Sequence, residues 1–207
     1  MSRSKQDMSA KLAAENALRA EGYNYICGVD EVGRGPLAGP VVCAAVIMPA
    51  DDIVEGVDDS KKLSAKKREK LDALIREKAI AWAICRIEPQ QIDEMNILQA
   101  TRLCMKNAIE SLKIRPDFVI TDGNMTLDIA FPQRHIIGGD ASCYSIGAAS
   151  ILAKVYRDKI MDEYAADYPW YGFEKNKGYG TAAHIAAIKD RGLCPIHRRS
   201  FTKKWSD

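Results

Sequence analysis

Four acidic residues stand where stretches of predicted secondary structure end, and together they could bind a hard metal ion. Asp30 and Glu31 follow one apolar run and precede a turn that holds three glycines and two prolines. Asp122 closes a second mostly apolar run before a Gly-Asn pair, and Asp140 follows two glycines. Adjacent carboxylates repel each other and need a cation or broad solvation. Oxygen-rich, histidine-poor coordination favours Mg²⁺ or Mn²⁺ over zinc or copper.

Each of these acids also has an ordinary structural explanation. An aspartate before a helix is commonly an N-cap, and an aspartate before Gly-Asn is commonly a turn residue. Side-chain alternation along a strand would also send Asp30 and Glu31 to opposite faces unless the backbone bends. Four strand-end acids in one chain favour the metal site. Asp158 lies a long helical segment after Asp140, so we interpret it as a surface or helix-pairing acid.

The elements that must position these acids form an alternating pattern of strands and helices. This pattern predicts an α/β fold with a sheet of mixed strand direction. We expect an N-terminal arm with a short helix over 1–24, a catalytic domain over 25–166 and a small helical region over 167–207. The predicted strands are 25–29, 41–48, 79–87, 117–121 and 135–137, and the predicted longer helices are 65–78, 89–113 and 145–166.

The composition is that of an ordinary globular chain. With 207 residues, 47% apolar and 28% charged, the chain is long enough for one domain with a normal core. No apolar run approaches the ~20 residues of a membrane span, and the first residues lack the apolar segment of a secretory signal. Six cysteines without paired spacing predict reduced thiols in a cytoplasmic protein, with a monomer as the default.

The histidines do not predict a transition-metal site. Cys194 and His197 form half of a zinc motif, but no second pair follows, so zinc is not expected. His135 and His184 stand alone in the sequence and are interpreted as structural.

Two segments concentrate positive charge, although the formal net charge is only +2. Residues 60–78 hold eight Lys and Arg against three acids, and residues 175–204 hold eight against one. Such runs are commonly solvated faces, but beside an acidic centre they also fit clamps on a nucleic-acid backbone. Ser60, Lys61 and Arg198 are the predicted phosphate contacts.

Nine stretches, in order from about residue 25 to 201, resemble the bacterial ribonuclease HII family (type 2 ribonucleases H). The first of them is highly specific. The stretches are GVDEVGRGPLAGP at 28–40, DSKKL at 59–63, NIL at 96–98, TDGN at 121–124, GD at 139–140, AASILAK at 148–154, RD at 157–158, NKGYGT at 176–181 and HRRSF at 197–201.

This resemblance implies a ribonuclease H-like five-stranded mixed sheet flanked by helices, with a small C-terminal helical region. It also implies metal-dependent cleavage of the RNA strand in RNA–DNA hybrids, and incision 5′ to single ribonucleotides in duplex DNA as part of their removal. The family's four metal-binding acids match Asp30, Glu31, Asp122 and Asp140. We expect two Mg²⁺ or Mn²⁺ ions per site, with Asp30 shared between them, and 5′-phosphate and 3′-hydroxyl products.

The same resemblance assigns substrate recognition to two glycine-rich stretches. Gly33, Arg34 and Gly35 match the family's turn that recognises the ribonucleotide, although a tight strand connection would also explain the glycines. Tyr179, flanked by glycines, matches a tyrosine that packs on the sugar where a ribonucleotide is followed by DNA. An isolated tyrosine is otherwise usually core or rim packing.

Two other functional classes remain open at this point. A non-catalytic nucleic-acid-binding protein could share the fold, but a binder of polyanions would gain by losing the four acids. A nuclease or recombinase that acts on DNA could also share it, and a requirement for a substrate 2′-hydroxyl would exclude that class.

Overall fold

Five strands form one mixed sheet in the order β3–β2–β1–β4–β5 in the computed structural model, which describes residues 8–205. Strand β1 pairs antiparallel with β2 and parallel with β4; β3 lies antiparallel beside β2, and β5 lies parallel beside β4. The predicted α/β class and mixed sheet are confirmed. The strands are β1 (Ile26–Val32), β2 (Val41–Ile47), β3 (Ala81–Ile87), β4 (Phe118–Asp122) and β5 (Gln133–Ile136).

Helices cover both faces of the sheet, and further short helices form the C-terminal region. Among the described residues, no helix combines the length and apolar character needed to cross a membrane. The helices are α1 (Ala13–Ala20), α2 (Ala65–Lys78), α3 (Pro89–Met95), α4 (Ile97–Glu110), α5 (Gly139–Ser142), α6 (Tyr144–Asp167), α7 (Phe173–Asn176), α8 (Ala182–Arg191) and α9 (Arg199–Thr202), with 3-10 turns at Ser60–Lys62 and Pro169–Tyr171.

The core lies in two layers because β2 is buried along its whole length and β1 over its first five residues. Helices α2 and α6 pack against one face of the sheet, and α3 and α4 pack against the other. Continuous apolar runs are typical of strands that are covered on both faces. A third apolar cluster joins the C-terminal region to the end of α6 and to the loop after β1.

The observed elements differ from the predicted ones at a few instructive places. Strand β1 continues through Asp30 and Glu31, which pair with β2, instead of ending at residue 29. The predicted helix 89–113 is two helices, because Asn96 has φ of 71° and its side chain accepts hydrogen bonds from the first turn of α4. The predicted N-terminal helix is present as α1, and residues 1–7 of the predicted arm lie outside the described residues.

Gly28, two residues before Asp30, allows the start of α6 to pack directly on β1. A Cβ atom at Gly28 would lie 2.3 Å from the Ser145 carbonyl carbon and 2.6 Å from the Ile146 nitrogen. Real Cβ atoms do not approach backbone so closely. Glu15 of α1 reaches the same helix end, because its carboxylate accepts hydrogen bonds from the Ser145 amide and hydroxyl at 2.9 and 2.8 Å.

Gly28→Ala is therefore expected to destabilise the fold by about 2 kcal/mol or more, since the added methyl must displace the start of α6. Urea unfolding followed by circular dichroism measures the change. Gly35→Ala is the matched control, because a Cβ there would meet only the Tyr179 ring at 3.8 Å. Equal unfolding midpoints for the parent and Gly28→Ala would show that this contact does not constrain the fold.

Candidate active site

The parallel pairing of β1 with β4 brings the first acids together. Val29 pairs with Thr121, so Asp30 and Asp122 occupy the next positions on the two neighbouring strands. Asp122 in turn accepts a hydrogen bond from the Gly139 amide at 2.7 Å, which holds the start of α5 against the end of β4. Residues far apart in sequence thus lie near one another at the C-terminal ends of β1 and β4. Asp140 is the residue after Gly139 and lies beside them.

Two basic side chains contact the acids. Lys61 places its Nζ 3.1 Å from Asp140 Oδ2, and Arg34 places Nη1 3.4 Å from Glu31 Oε1. Asp59 caps the 3-10 turn that carries Lys61, because its carboxylate accepts a hydrogen bond from the Lys61 amide. Of the predicted phosphate contacts, Lys61 therefore lies at the acids.

Burial and mutual repulsion disfavour negative charge on the central acid. Asp30 is only 4% exposed. Its burial, followed by the charges of Glu31 and Asp122, raises the pKa of Asp30 well above its ordinary value. Burial also raises the pKa of Glu31, although Arg34 partly offsets that effect. A cation among these groups would relieve the repulsion and favour the ionised carboxylates.

The donors present fit a hard divalent cation by type. All four are carboxylates from Asp30, Glu31, Asp122 and Asp140, the oxygen ligands that Mg²⁺ and Mn²⁺ prefer. Within residues 8–205, however, no three His, Cys, Asp or Glu side chains converge closely enough in this conformation to enclose an ion. Three of the carboxylates have other partners in this conformation, because Asp140 contacts Lys61, Glu31 contacts Arg34, and Asp122 accepts a hydrogen bond from the Gly139 amide.

A cleft of about 330 Å³ opens beside Asp30 and Glu31. Lys61, Arg68, Lys154 and Tyr179 also line it, so that acids, bases and one aromatic ring face a shared volume. Such a surface can take a phosphate backbone on its basic wall while the acids hold the reacting centre.

The remaining wall residues of this cleft have structural partners. Ser60 is 3% exposed, and its hydroxyl lies 2.9 Å from that of Ser150. Asp158 pairs with Lys154 at 2.6 Å and with Arg68 at 3.3 Å. Because Arg68 belongs to α2 and Asp158 to α6, the prediction of a helix-pairing acid is confirmed.

Arg198 lies elsewhere than predicted. The side chain is fully buried beneath the turn after β1, where its guanidinium donates hydrogen bonds to the carbonyl oxygens of Gly33, Arg34 and Gly39. The prediction that Arg198 contacts phosphate directly is therefore wrong. Its position in a basic run did not distinguish a solvated arginine from one that holds a loop.

Arg157 is a site residue that the sequence reasoning missed. It is also fully buried, and it donates to the carbonyl oxygens of Pro40, Ala38 and Lys177 at 3.0, 3.1 and 2.9 Å. Gly33 has φ of 93°, and a Cβ there would lie 2.3 Å from Arg157 Nε. The sequence did contain a signal that Arg157 is buried. Arg157 lies four residues from both Ala153 and Met161, on the apolar side of α6.

Tyr179 lies against the glycine turn, which we define as residues 33–40. A Cβ added at Gly35 would be 3.8 Å from the Tyr179 ring, which places the ring over that residue. The preceding carbonyl, of Gly178, accepts hydrogen bonds from the amides of Leu37 and Ala38 at 2.8 and 3.3 Å. With 45% of its surface exposed, Tyr179 joins the turn and the cleft in one surface.

The sheet and its helices define a ribonuclease H-like fold. The structure of ribonuclease H2 from Pyrococcus horikoshii OT3 matches with a TM-score of 0.74 and 28% identity, over 87% of this chain and 96% of that one. A ribonuclease HIII described as "Bst-RNase HIII in complex with Mn2+" matches with a TM-score of 0.65 and 20% identity, over 81% of this chain and 63% of that one.

Sequence comparison gives the family. The sequence model of the family described as ribonuclease HII matches residues 27–204. The ribonuclease HII of Caldicellulosiruptor bescii is 56% identical over 189 residues, which is 91% of this chain and 92% of that protein. The chain belongs to the ribonuclease HII family, as its motifs indicated.

The raised pKa of Asp30 predicts a stability change that is separate from activity. Because the folded state holds this proton more tightly than the unfolded state, ionisation destabilises the fold as the pH rises above about 4. Asp30→Asn keeps an acceptor for the Glu31 amide, which now donates to Asp30 Oδ1 at 2.8 Å, and removes the charge.

In EDTA, Asp30→Asn should therefore raise the melting temperature at pH 7 by several degrees, since about 1 kcal/mol shifts it by ~2–4 °C in a domain of this size. The difference should shrink towards pH 4, where both proteins are neutral at this position. Asp51→Asn, at an exposed acid, is the control. A lower melting temperature for Asp30→Asn at pH 7 would contradict the repulsion argument.

Proposed function

We propose that this protein hydrolyses the RNA strand of RNA–DNA hybrids and incises duplex DNA on the 5′ side of single embedded ribonucleotides. The observation that carries the proposal is the placement of Asp30, Glu31 and Asp122 at the C-terminal ends of two neighbouring strands, beside a cleft lined by Lys61 and Tyr179. Membership of the ribonuclease HII family supports the same reaction.

The acids would act as metal ligands in this reaction. Asp30, Glu31, Asp122 and Asp140 would hold two Mg²⁺ or Mn²⁺ ions. Bound there, such ions would supply an activated water and charge neutralisation at the scissile phosphate, and the expected products are a 5′-phosphate and a 3′-hydroxyl. The Mn²⁺ complex of the structurally similar ribonuclease HIII supports the choice of metal. The buried, mutually repelling carboxylates of this chain favour a divalent cation for the same electrostatic reason.

Substrate recognition would use the glycine turn and its neighbours. The carbonyl oxygens of Gly33 and Arg34 are taken by Arg198, whereas no acceptor is found among residues 8–205 for the amides of Arg34 and Gly35. These amides are free to bind the sugar–phosphate backbone and the 2′-hydroxyl that distinguishes RNA. Lys61 would bind a phosphate, Ser60 would support that wall, and Tyr179 would pack on the sugar at the junction.

The surrounding context is also part of the proposal. Reduced cysteines support a cytoplasmic site of action. We propose a monomer whose partners are RNA–DNA hybrids and ribonucleotide-containing DNA, and whose role is the removal of ribonucleotides from DNA.

Cleavage of an end-labelled DNA duplex with one ribonucleotide tests the proposed function. The parent protein should cut on the 5′ side of the ribonucleotide in Mg²⁺ or Mn²⁺ and not in EDTA. Asp30→Ala should abolish cleavage and retain binding of the duplex, because the basic wall is intact. Binding without cleavage by the parent protein would favour the non-catalytic class, and cleavage of all-DNA duplexes would favour the DNA-directed class.

Tyr179→Ala should lose about tenfold or more of the activity on the single-ribonucleotide duplex, because the ring over Gly35 no longer packs on the junction sugar. Activity on a long RNA–DNA hybrid should fall much less. Steady-state kinetics on the two substrates measure the difference, with Tyr25→Ala, at an exposed tyrosine outside the cleft, as the control. Equal activity of Tyr179→Ala on the junction substrate would count against this role.

A further inference from the structure

A chain of buried hydrogen bonds ends on the backbone of Tyr179. His184 Nδ1 lies 2.9 Å from the Tyr179 carbonyl oxygen, and His184 Nε2 lies 3.0 Å from Nε2 of His197. Nδ1 of His197 lies 3.0 Å from both the amide nitrogen and the thiol sulfur of Cys194. The two histidines are 0% and 3% exposed. His184, which stood alone in the sequence, therefore has a histidine partner.

The direction of every proton in this chain follows from its backbone end. The amide of Cys194 can only donate, so Nδ1 of His197 accepts and the His197 proton resides on Nε2. That Nε2–H donates to His184 Nε2, which leaves the His184 proton on Nδ1. His184 consequently donates to the Tyr179 carbonyl, which can only accept. Each neutral ring has one donor and one acceptor, and both are used.

The surroundings keep both rings neutral and fixed in place. Burial lowers the pKa of His184, and burial together with His184 lowers the pKa of His197 to about 4. Phe173 and Tyr171 present their rings to the pair, with edge-on contacts from Phe173 to His184 and from Tyr171 to His197. A further proton on either ring would set two N–H groups against each other, so the arrangement persists at neutral pH.

The same short segment also holds the glycine turn. His197 forms an isolated antiparallel bridge with Ala38, and the amide of the next residue, Arg198, donates to the Leu37 carbonyl at 2.8 Å. Side chains of neighbouring residues on extended backbone point in opposite directions. Arg198 accordingly reaches the carbonyls of the glycine turn, while His197 reaches His184 and, through it, Tyr179.

We propose that His184 and His197 are positioning residues. They fix the loop of residues 178–181, which carries Tyr179, against the glycine turn and thereby set the preference for ribonucleotide–DNA junctions. This inference rests on the proposed function, since it concerns the selectivity of that same cleft. Neither histidine touches the substrate. Their contribution is to hold the backbone from which the Tyr179 ring projects.

His184→Phe tests the proposal, because phenylalanine fills the apolar surroundings but removes both hydrogen bonds. Activity on the single-ribonucleotide duplex should fall about 3- to 10-fold, the cost of one or two lost hydrogen bonds, mainly through a higher KM. Activity on a long hybrid should change less than about twofold. His184→Asn, whose amide can still donate near the Nδ1 position, should recover most of the loss. His135→Phe, at an exposed histidine of β5, is the matched control.

Amide hydrogen exchange gives a readout that does not depend on activity. The amides of residues 178–181 should exchange faster in His184→Phe than in the parent protein or in His135→Phe. If the parent protein lacks ribonuclease activity but the exchange difference is present, the positioning survives and the proposed function fails. Unchanged exchange, or equal losses on both substrates, would overturn the positioning role.

A second variant keeps the test decisive if His184→Phe does not fold. His197→Asn retains an acceptor for the Cys194 amide and removes only the donor to His184. It should show the same substrate-selective loss and the same faster exchange at residues 178–181. Equal losses on the two substrates in this variant would overturn the proposal as well.

Discussion

The arrangement of the cleft depends on two buried guanidinium groups beneath the glycine turn. Within residues 8–205, no carboxylate forms an ion pair with Arg157 or Arg198, and both guanidinium groups donate to backbone carbonyl oxygens instead. Burial lowers the pKa of Arg157 to about 10 and that of Arg198 to about 9, so both remain charged at pH 7. A buried charge is tolerated only when its donors are satisfied, and the carbonyls must therefore stay in position. The shape of the turn follows from this requirement.

The acidic centre opposes folding in the absence of cations, in contrast to the turn. Asp30 lies near the end of β1, Asp122 ends the neighbouring parallel strand β4, and α5 adds Asp140 through its contact with β4. Negative charges gathered in this way raise the free energy of the folded protein. The apolar layers on both faces of the sheet and the close packing of α6 on Gly28 offset this unfavourable free energy. The apolar layers thus stabilise the fold, whereas the acidic centre destabilises it.

The sequence predicted the fold class, because the alternation of apolar runs with helical segments is a local pattern. Apolar runs ended by acids and glycines located Asp30 and Asp122, but only strand pairing shows that their strands are neighbours. Long-range contacts explain the failures. Arg198 stands in a basic run, and such a run does not show whether one of its side chains is solvated or buried. Arg198 is buried because it binds the turn at Gly33, which lies 165 positions earlier in the chain. The pairing of His184 with His197 required the same kind of information.

The bond between Arg198 and Gly33 also governs when the cleft can form during synthesis. It closes a loop of 165 residues, and closure of such long loops slows folding. Strand β1 and its acids are synthesised well before Arg198, because 165 positions separate Gly33 from Arg198. A nascent chain that has not reached Arg198 carries Asp30 and Glu31 without the bond that holds the glycine turn. The glycine turn takes its final form only after the segment that carries Arg198 has been synthesised.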